Sequence, residues 1–495
     1  MTTRPNVLLI VIDQFRADLL SGKLARIAKL PNLKALMNDA AVFQNHYSVM
    51  APCGPSRVSL LTGQYGMNHR AVRNGTPLRH DTPNLAKEAQ KLGYEPLLFG
   101  YTDTTIDPRS TEPDDPRLAS YEEVMPGFRE IVSLRQESDD RMWMEAAAAK
   151  GVILPDGNEK YRPAGENLND PAIYPAQLSD TAVLTDAFLN HMKDEDQGWF
   201  SLLAYIRPHP PFVAPAPYNS MYAPSDMPEP VSDTGDTPHP FLKASQETTT
   251  VSDKVVGFPG LGPSPEVTAI LRSIYLGLAS EVDHHIGRVI SWLKESGQYD
   301  NTILIVTADH GELLGDFDLW GKSSFHDSAY HIPLVVRAPG GAKGIEYQEM
   351  TESVDVAPTI LELMGGSAPS SMDGRSLAPL LDQKKLPWRE FTFSEFDFGD
   401  PIRPSSVQRH LGLHSDFCNF AVLRTKDFKL VHFGGELPQL LFAANDETRN
   451  IANAPDMMPT VLDLSRKMLS HRMVHADGTF SGTMATPEGM KTGTY

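Results

Sequence analysis

Two short stretches, Val7-Leu-Leu-Ile-Val-Ile12 and Ile303-Leu-Ile-Val306, constrain this chain more than any others, because each is an unbroken apolar run that ends near metal-liking residues. A strand with one wet face alternates apolar and polar side chains, so a continuous run is the pattern of a strand covered on both faces. The first run leads into Asp13-Gln14 and the second into Asp309-His310. Pro96 to Phe99, Phe200 to Tyr205 and Ile332 to Val336 read the same way. Helical periodicity fills the intervals, over Leu33 to Ala40, Ser56 to Thr62, Asn84 to Leu92, Thr181 to Met192 and Val267 to Leu293. Strand and helix in alternation predict an α/β fold, a mainly parallel sheet sandwiched by helices.

At 495 residues the chain outgrows one core. The pattern changes after Trp388 to short strand-like segments, Phe391 to Phe398, Phe420 to Leu423 and Phe428 to Phe433, followed by a helix over Met457 to Arg472. The division expected is a large domain over 1–387, a small antiparallel α+β subdomain over 388–476, and a polar tail over 477–495 that orders, if at all, against another subunit. A homo-oligomer, dimer or tetramer, is the matching expectation. Asp103 to Asn169 and Pro208 to Pro265, rich in Pro, Asp, Ser and Gly, read as long surface insertions of the kind that frame a substrate pocket.

The net charge of −19 excludes nucleic acid and anionic membrane as partners, because both demand clustered Lys and Arg. An anionic substrate therefore needs a local positive site. No apolar run is long enough to span a bilayer, and the start of the chain lacks a signal-peptide core, so the expected location is the cytoplasm. With only Cys53 and Cys418 there is no disulfide framework. Each cysteine needs its own explanation.

In an open parallel sheet ligands bind beyond the carboxyl ends of the strands, where Asp13, Gln14, Asp309 and His310 are expected. Two carboxylates, an amide oxygen and an imidazole suit one hard divalent cation, Ca²⁺, Mn²⁺ or Mg²⁺. Either pair alone reads more simply as a strand-ending Asp that caps a helix. Cys53 sits in Ala51-Pro-Cys-Gly-Pro-Ser-Arg-Val58, with Pro55 suited to a first helical turn, so an anion beside it would meet free N–H groups and the positive end of the helix. A buried structural cysteine and a His-paired thiolate are the other readings of that residue. Asp283-His284-His285 lie on neighbouring helical positions that do not share a face, which favours solvated or supporting roles. His69 and His326 read as structural, and Gly257, Gly260 and Gly262 lack the preceding strand that a nucleotide loop requires.

Cys53-Gly-Pro-Ser-Arg57 resembles the Cys-x-Pro-Ser-Arg signature of the sulfatase family in the alkaline phosphatase superfamily. Asn6 to Asp13, Leu30-Pro-Asn-Leu33, Thr307-Ala-Asp-His-Gly-Glu312, Gly321-Lys322, Asp355-Val-Ala-Pro-Thr359 and Asp373-Gly-Arg-Ser-Leu377 resemble that family's landmarks in its order. Met67 to Val72, Gly100-Tyr-Thr102, Arg207-Pro-His-Pro-Pro-Phe212 and Glu395-Phe-Asp-Phe398 are similar to the phosphonate monoester hydrolase branch and its arylsulfatase relatives. Typical arylsulfatases carry Gly-Lys-Trp-His where this chain has Gly100-Tyr-Thr-Asp103. Phosphonate hydrolases tend to have Ala and Thr in place of Ser56 and Asp103.

The resemblance implies an alkaline phosphatase-like fold and a nucleophile made by a formylglycine-generating enzyme, which oxidises Cys53 to formylglycine. It implies one metal held by Asp13, Gln14, Asp309, His310 and the modified Cys53. Arg57 would orient the nucleophile, Lys322 and His209 would grip the ester oxygens or protonate the leaving alcohol, and Asn74 and Tyr101 would be lesser substrate contacts. The activity expected is arylsulfatase-type hydrolysis of small anionic esters, with phosphonate monoesters and phosphodiesters as side substrates. The alternative is a phosphonate monoester hydrolase with side sulfatase activity. A phosphatase or phosphomutase using Ser or Thr, and a catalytically dead binding protein, are the more distant readings.

Overall fold

The computed structural model describes residues 4–195, 197–234, 238–477 and 482–492. Its first nine strands are β1 (Asn6–Ile12), β2 (Ala41–Tyr47), β3 (Met50–Ala51), β4 (Pro96–Gly100), β5 (Arg129–Ser133), β6 (Phe200–Tyr205), β7 (Thr302–Ala308), β8 (Leu334–Arg337) and β9 (Ile345–Glu352). All but β3 form one sheet in the order β5-β4-β6-β1-β7-β8-β2-β9, parallel except that β8 runs against β7 and β2. The continuous apolar runs are explained by two cores. Leu8, Ile10 and Ile12 of β1 enter one with Leu304 and Val306, while Val7, Leu9 and Val11 enter the other with Ile303 and Ile305. The helix Pro265–Glu295 covers the first face, and the helix Cys53–Thr62 the second.

The register pairs Ile12 of β1 with Ala308 of β7, so Asp13 and Asp309 leave the sheet side by side at its carboxyl edge. This neighbouring exit is what brings two distant acidic residues into one site.

A second sheet contains β10 (Phe391–Asp397), β11 (Asn419–Thr425), β12 (Phe428–Phe433) and β13 (Leu440–Ala443), in antiparallel order, with β3 added parallel to β10. Residues just before Cys53 are thus stitched to the C-terminal sheet, through Met50 beside Glu395 and Ala51 beside Phe396. The helix Met458–Val474 packs Val461, Leu464 and Met468 against Phe393, Leu423 and Leu430 of this sheet. Its other side leaves Leu469 and Met473 exposed. Within the tail, β14 (Thr483–Thr486) and β15 (Gly489–Thr492) pair as a hairpin; 478–481 and 493–495 lie outside the described residues, as does the start of the chain, 1–3. Among the described residues no helix is long and apolar enough to cross a membrane.

The first insertion is not irregular throughout. It supplies the edge strand β5 and the helix Arg141–Ala149, whose Trp143 is fully buried. Asp283 accepts hydrogen bonds from the backbone N–H groups of Asn32 and Leu33 at 3.1 and 2.7 Å, capping the helix Pro31–Met37. It supports a neighbouring helix. His69, between Ser59 Oγ and the Ala71 N–H, and His326, stacked on Phe317, are packed inside the protein.

Glu281, on the same long helix, is fully buried. Burial is the largest influence on its carboxyl, Ser179 and Arg207 oppose it, Asp180 adds to it, and the group ends up at about 8. Between the ordinary carboxylate range and pH 8 the folded protein therefore holds a proton that the unfolded chain has released, and stability falls as pH rises through that window. Glu281→Gln is expected to stabilise the protein by a few kcal/mol at pH 8, roughly the free energy of a shift of that size, and by much less at pH 5. Urea unfolding at the two pH values checks this.

Candidate active site

The helix Cys53–Thr62 begins one turn earlier than its apolar pattern suggests, so Cys53 opens it, next to Pro52. The Gly54 N–H donates to Asn74 Oδ1 at 3.0 Å. A Cβ on Gly54 would lie 2.9 Å from that oxygen and 3.1 Å from the Asp103 carbonyl, so a larger residue there would have to push both aside. Asn74 thereby fixes the turn that presents residue 53.

Cys53 Sγ is buried 3.2 Å from His310 Nε2 and 4.0 Å from Asp13 Oδ1. His310 Nδ1 lies 3.0 Å from the Gly311 carbonyl, which assigns the ring hydrogen to Nδ1 and leaves the Nε2 lone pair facing inward. That lone pair is 3.7 Å from an Asp13 oxygen and 3.8 Å from an Asp309 oxygen. An imidazole lone pair and two carboxylates, all buried and turned toward one point, repel each other unless a cation lies among them. Ligand atoms of Asp13, Cys53, Asp309 and His310 all fall within 4.8 Å of one another, the one such cluster among the described residues, and the donor set fits a hard divalent ion.

Gln14 completes this edge in a left-handed conformation, φ 64°, uncommon for a residue with a side chain. Its amide nitrogen donates to Glu312 and its amide oxygen accepts from Lys322 Nζ at 2.8 Å, so the oxygen is the atom turned toward the cations. Glu312 Oε1 also accepts from the Leu314 and Gly321 N–H groups at 3.0 and 2.6 Å, tying the Gly321-Lys322 turn to the same point.

Arg57, one turn along the nucleophile helix, is 2 % exposed and fully used. Its Nε donates to Asp309 at 2.9 Å, and one terminal nitrogen to Asp13 at 3.2 Å and to the Tyr101 hydroxyl at 2.8 Å. The Tyr101 ring lies 3.9 Å under the guanidinium, and its hydroxyl donates to Asp13. Tyr101 thus reaches the site through Arg57 and Asp13. Burial alone would raise the Asp13 carboxyl, but Arg57 first, with Lys322 and the Tyr101 hydroxyl, holds it below the ordinary range. The Cys53 thiol is pushed well above its ordinary value, by burial first and by Asp13, Asp309 and Asp103, against the pull of Lys322. An unmodified thiolate is unfavourable here.

Lys322 Nζ is 3.1 Å from His209 Nε2, whose ring hydrogen is taken up by the Pro210 carbonyl, 2.6 Å from Nδ1. Burial and the neighbouring Lys322 keep His209 neutral, well below its usual pKa. The residue that holds this loop is one that sequence reasoning passed over as a motif letter. Arg207, buried on Asp180 at 2.8 Å, donates to the His209 and Pro211 carbonyls at 2.7 and 3.1 Å.

Ser56 does not face the site cavity. Its hydroxyl donates to the Asp309 carbonyl at 2.6 Å and lies 3.1 Å from Ser48 Oγ. Asp103 does approach, in a left-handed conformation, 3.9 Å from Arg57 Nε. Burial first, with Asp13, Glu122 and Asp309, outweighs Arg57 and holds its carboxyl well above the ordinary range. A polar cavity of about 230 Å³ opens beside Gln14, His209 and Lys322. A larger one, about 590 Å³, lies between the second sheet and the helix Met458–Val474 and includes none of the clustered residues.

The Sulfatase family model matches residues 5–367, and the N-sulphoglucosamine sulphohydrolase C-terminal model matches residues 315–474. The multifunctional alkaline phosphatase superfamily protein PehA of Trinickia caryophylli is 39% identical across 99% of both chains. The structure of a phosphonate monoester hydrolase from Silicibacter pomeroyi superposes with a TM-score of 0.96 at 49% identity, covering 99% of each chain. That of a phosphonate monoester hydrolase from Agrobacterium radiobacter gives 0.92 at 37%, covering 99% of this chain and 100% of the other. An arylsulfatase of Clostridium perfringens is more distant, 26% identical over 80% of this chain and 82% of its own. With a match over most of its length and relatives that align end to end, the chain belongs to the sulfatase family of the alkaline phosphatase superfamily.

Proposed function

We propose that the protein hydrolyses phosphonate monoesters and phosphodiesters first and aryl sulfates second, at a site built on residue 53. The observation that carries this order is the end-to-end likeness to phosphonate monoester hydrolases at 49% and 37% identity; the side-chain charges bear on the rank of phosphate monoesters. Arg57 is paired with Asp13 and Asp309, and at the reacting ester Lys322 is the side-chain cation with no carboxylate of its own among the described residues. Such a site suits a tetrahedral monoanion better than a dianion. The Ser56 that departs from the phosphonate pattern is spent on backbone and Ser48, so it gives no support to a sulfate preference.

Asp13, Gln14, Asp309 and His310 would hold one divalent ion, which when bound supplies positive charge to the ester and to the nucleophile. Oxidation of Cys53 to formylglycine would supply an aldehyde hydrate as the oxygen nucleophile. Asn74 and Arg57 hold the turn and the carboxylates around it. Lys322 hydrogen-bonds the ester oxygens and is the nearest proton source for the departing alcohol. His209, kept neutral and locked by Pro210, accepts from Lys322 and so aims its ammonium. The exposed Leu469 and Met473 support a dimer or tetramer; a monomer mass by light scattering would contradict that.

The test is kcat/KM on matched aryl esters, with divalent metal supplied. The expected order is phosphonate monoester above sulfate above phosphate monoester, the last step roughly tenfold or more, the scale of one differential charge contact, since the first two esters are both monoanions. A phosphate monoester in first place refutes the charge argument. Sulfate in first place makes the protein an arylsulfatase instead.

A further inference from the structure

The two insertions meet over the carboxyl edge of the sheet and wall the 230 Å³ cavity. Gln136 and Asn158 come from the first, Asp253 and Lys254 from the second, and Trp320 and Ser323 from the loop that carries Lys322. Gln136 is anchored, its amide nitrogen on the Pro210 carbonyl at 3.0 Å. Asp253 is engaged by the Thr250 hydroxyl. Lys254 differs from its neighbours. Its backbone is fixed, the carbonyl accepting from the Phe212 N–H at 2.7 Å, and its ammonium lies over Gly321, 3.9 Å from where a Cβ would stand. No carboxylate lies within ion-pair distance of it among the described residues, and it is partly buried next to Lys322.

An amine confined this way loses part of its hydration while Glu312 and Asp253 act on it only from beyond ion-pair distance, a cost that a bound anion reduces. Burial lowers the Lys254 ammonium from its usual range and Lys322 adds to the lowering, while Glu312 and Asp253 oppose it. Prolines and Trp320 are the apolar part of the lining; the rest is amide, hydroxyl and charge. The volume has room for roughly ten non-hydrogen atoms, a small polar group rather than a polymer.

Resting on the ester-hydrolase reading above, we infer that the natural substrate carries a second acidic group on its organic part, and that Lys254 binds it while Lys322 and His209 address the reacting ester. Small carboxylated or phosphorylated alcohols fit this description, and plain aryl alcohols do not.

The test uses the metal-loaded enzyme and two methylphosphonate monoesters, of 4-hydroxybenzoate and of 4-hydroxybenzamide, which match in size and differ in charge. The wild type is expected to favour the acid over the amide by roughly tenfold in kcat/KM. Lys254→Met is expected to collapse that ratio toward one, and Lys254→Arg to keep most of it. A ratio that Lys254→Met leaves unaltered, or a wild type that prefers the amide, overturns the inference. Equal losses on both esters would mean that Lys254 only supports Lys322, which also overturns it. Failure of the wild type on both esters would instead remove the ester-hydrolase reading and the inference with it.

Discussion

Cys53→Ala is expected to abolish ester hydrolysis, by roughly four or more orders of magnitude in kcat, while the protein stays folded. The side chain is small and sits at a helix start, so its removal leaves little cavity and no unpaired backbone group. The chemistry has no substitute within reach. His310 is turned toward two carboxylates, and Ser56, the nearest hydroxyl along the helix, is bonded to the Asp309 carbonyl. Cys53→Ser is expected to be nearly as inactive, because it supplies an alcohol among acidic groups that oppose its ionisation. A serine variant that retained wild-type turnover would revive the phosphatase reading. Circular dichroism beside the kinetics separates lost chemistry from lost fold.

Arg57→Met is expected to damage stability and activity together. The guanidinium is the buried counter-charge for Asp13 and Asp309 and lies near Asp103. Taking it away leaves two buried carboxylates without their guanidinium counter-charge, a loss of about 3–5 kcal/mol for a buried ion pair broken from one side. The sign with pH follows. Asp13 is held below the ordinary carboxylate range in the wild type, so its pairing contributes above that range and fades as pH falls through the lowered value. The gap between wild type and Arg57→Met should therefore be large at pH 7 and narrow toward pH 3. Arg57→Lys should recover only part of it, because an ammonium cannot span Asp309, Asp13 and the Tyr101 hydroxyl at once. Urea denaturation with added divalent ion narrows the gap further if the cluster binds the ion, since metal charge replaces some of what Arg57 supplies.

The centre of this architecture was legible because burial on both faces leaves an unmistakable pattern. The residues of β1 and β7 that alternate between the two cores are apolar at every position, and the residues after them are the site. The edges were not legible. β9 alternates exposed and half-buried residues over its first half, and β5 lies at the margin of the sheet inside an insertion rich in Pro and Asp. β3 spans only Met50 and Ala51 and is a strand because β10 lies beside it, which no local pattern records. At the site, Asp13, Gln14, Cys53, Asp309 and His310 converge from three distant segments, and Lys322 with His209 faces them. What sequence could not supply was the direction each group faces. The Tyr101 hydroxyl and the Asn74 amide oxygen are spent within the protein on Asp13 and Gly54, and Arg207 acts through carbonyl groups that carry no sequence signal.

The most direct test of the account is the chemical state of residue 53 in working enzyme. Tryptic peptides spanning Cys53 should be weighed in preparations made with and without a coexpressed formylglycine-generating enzyme, beside kcat on an aryl phosphonate monoester for each. Turnover is expected to rise in proportion to the fraction carrying the aldehyde and to extrapolate to zero with the thiol. Full activity from protein whose residue 53 is entirely unmodified cysteine would contradict it.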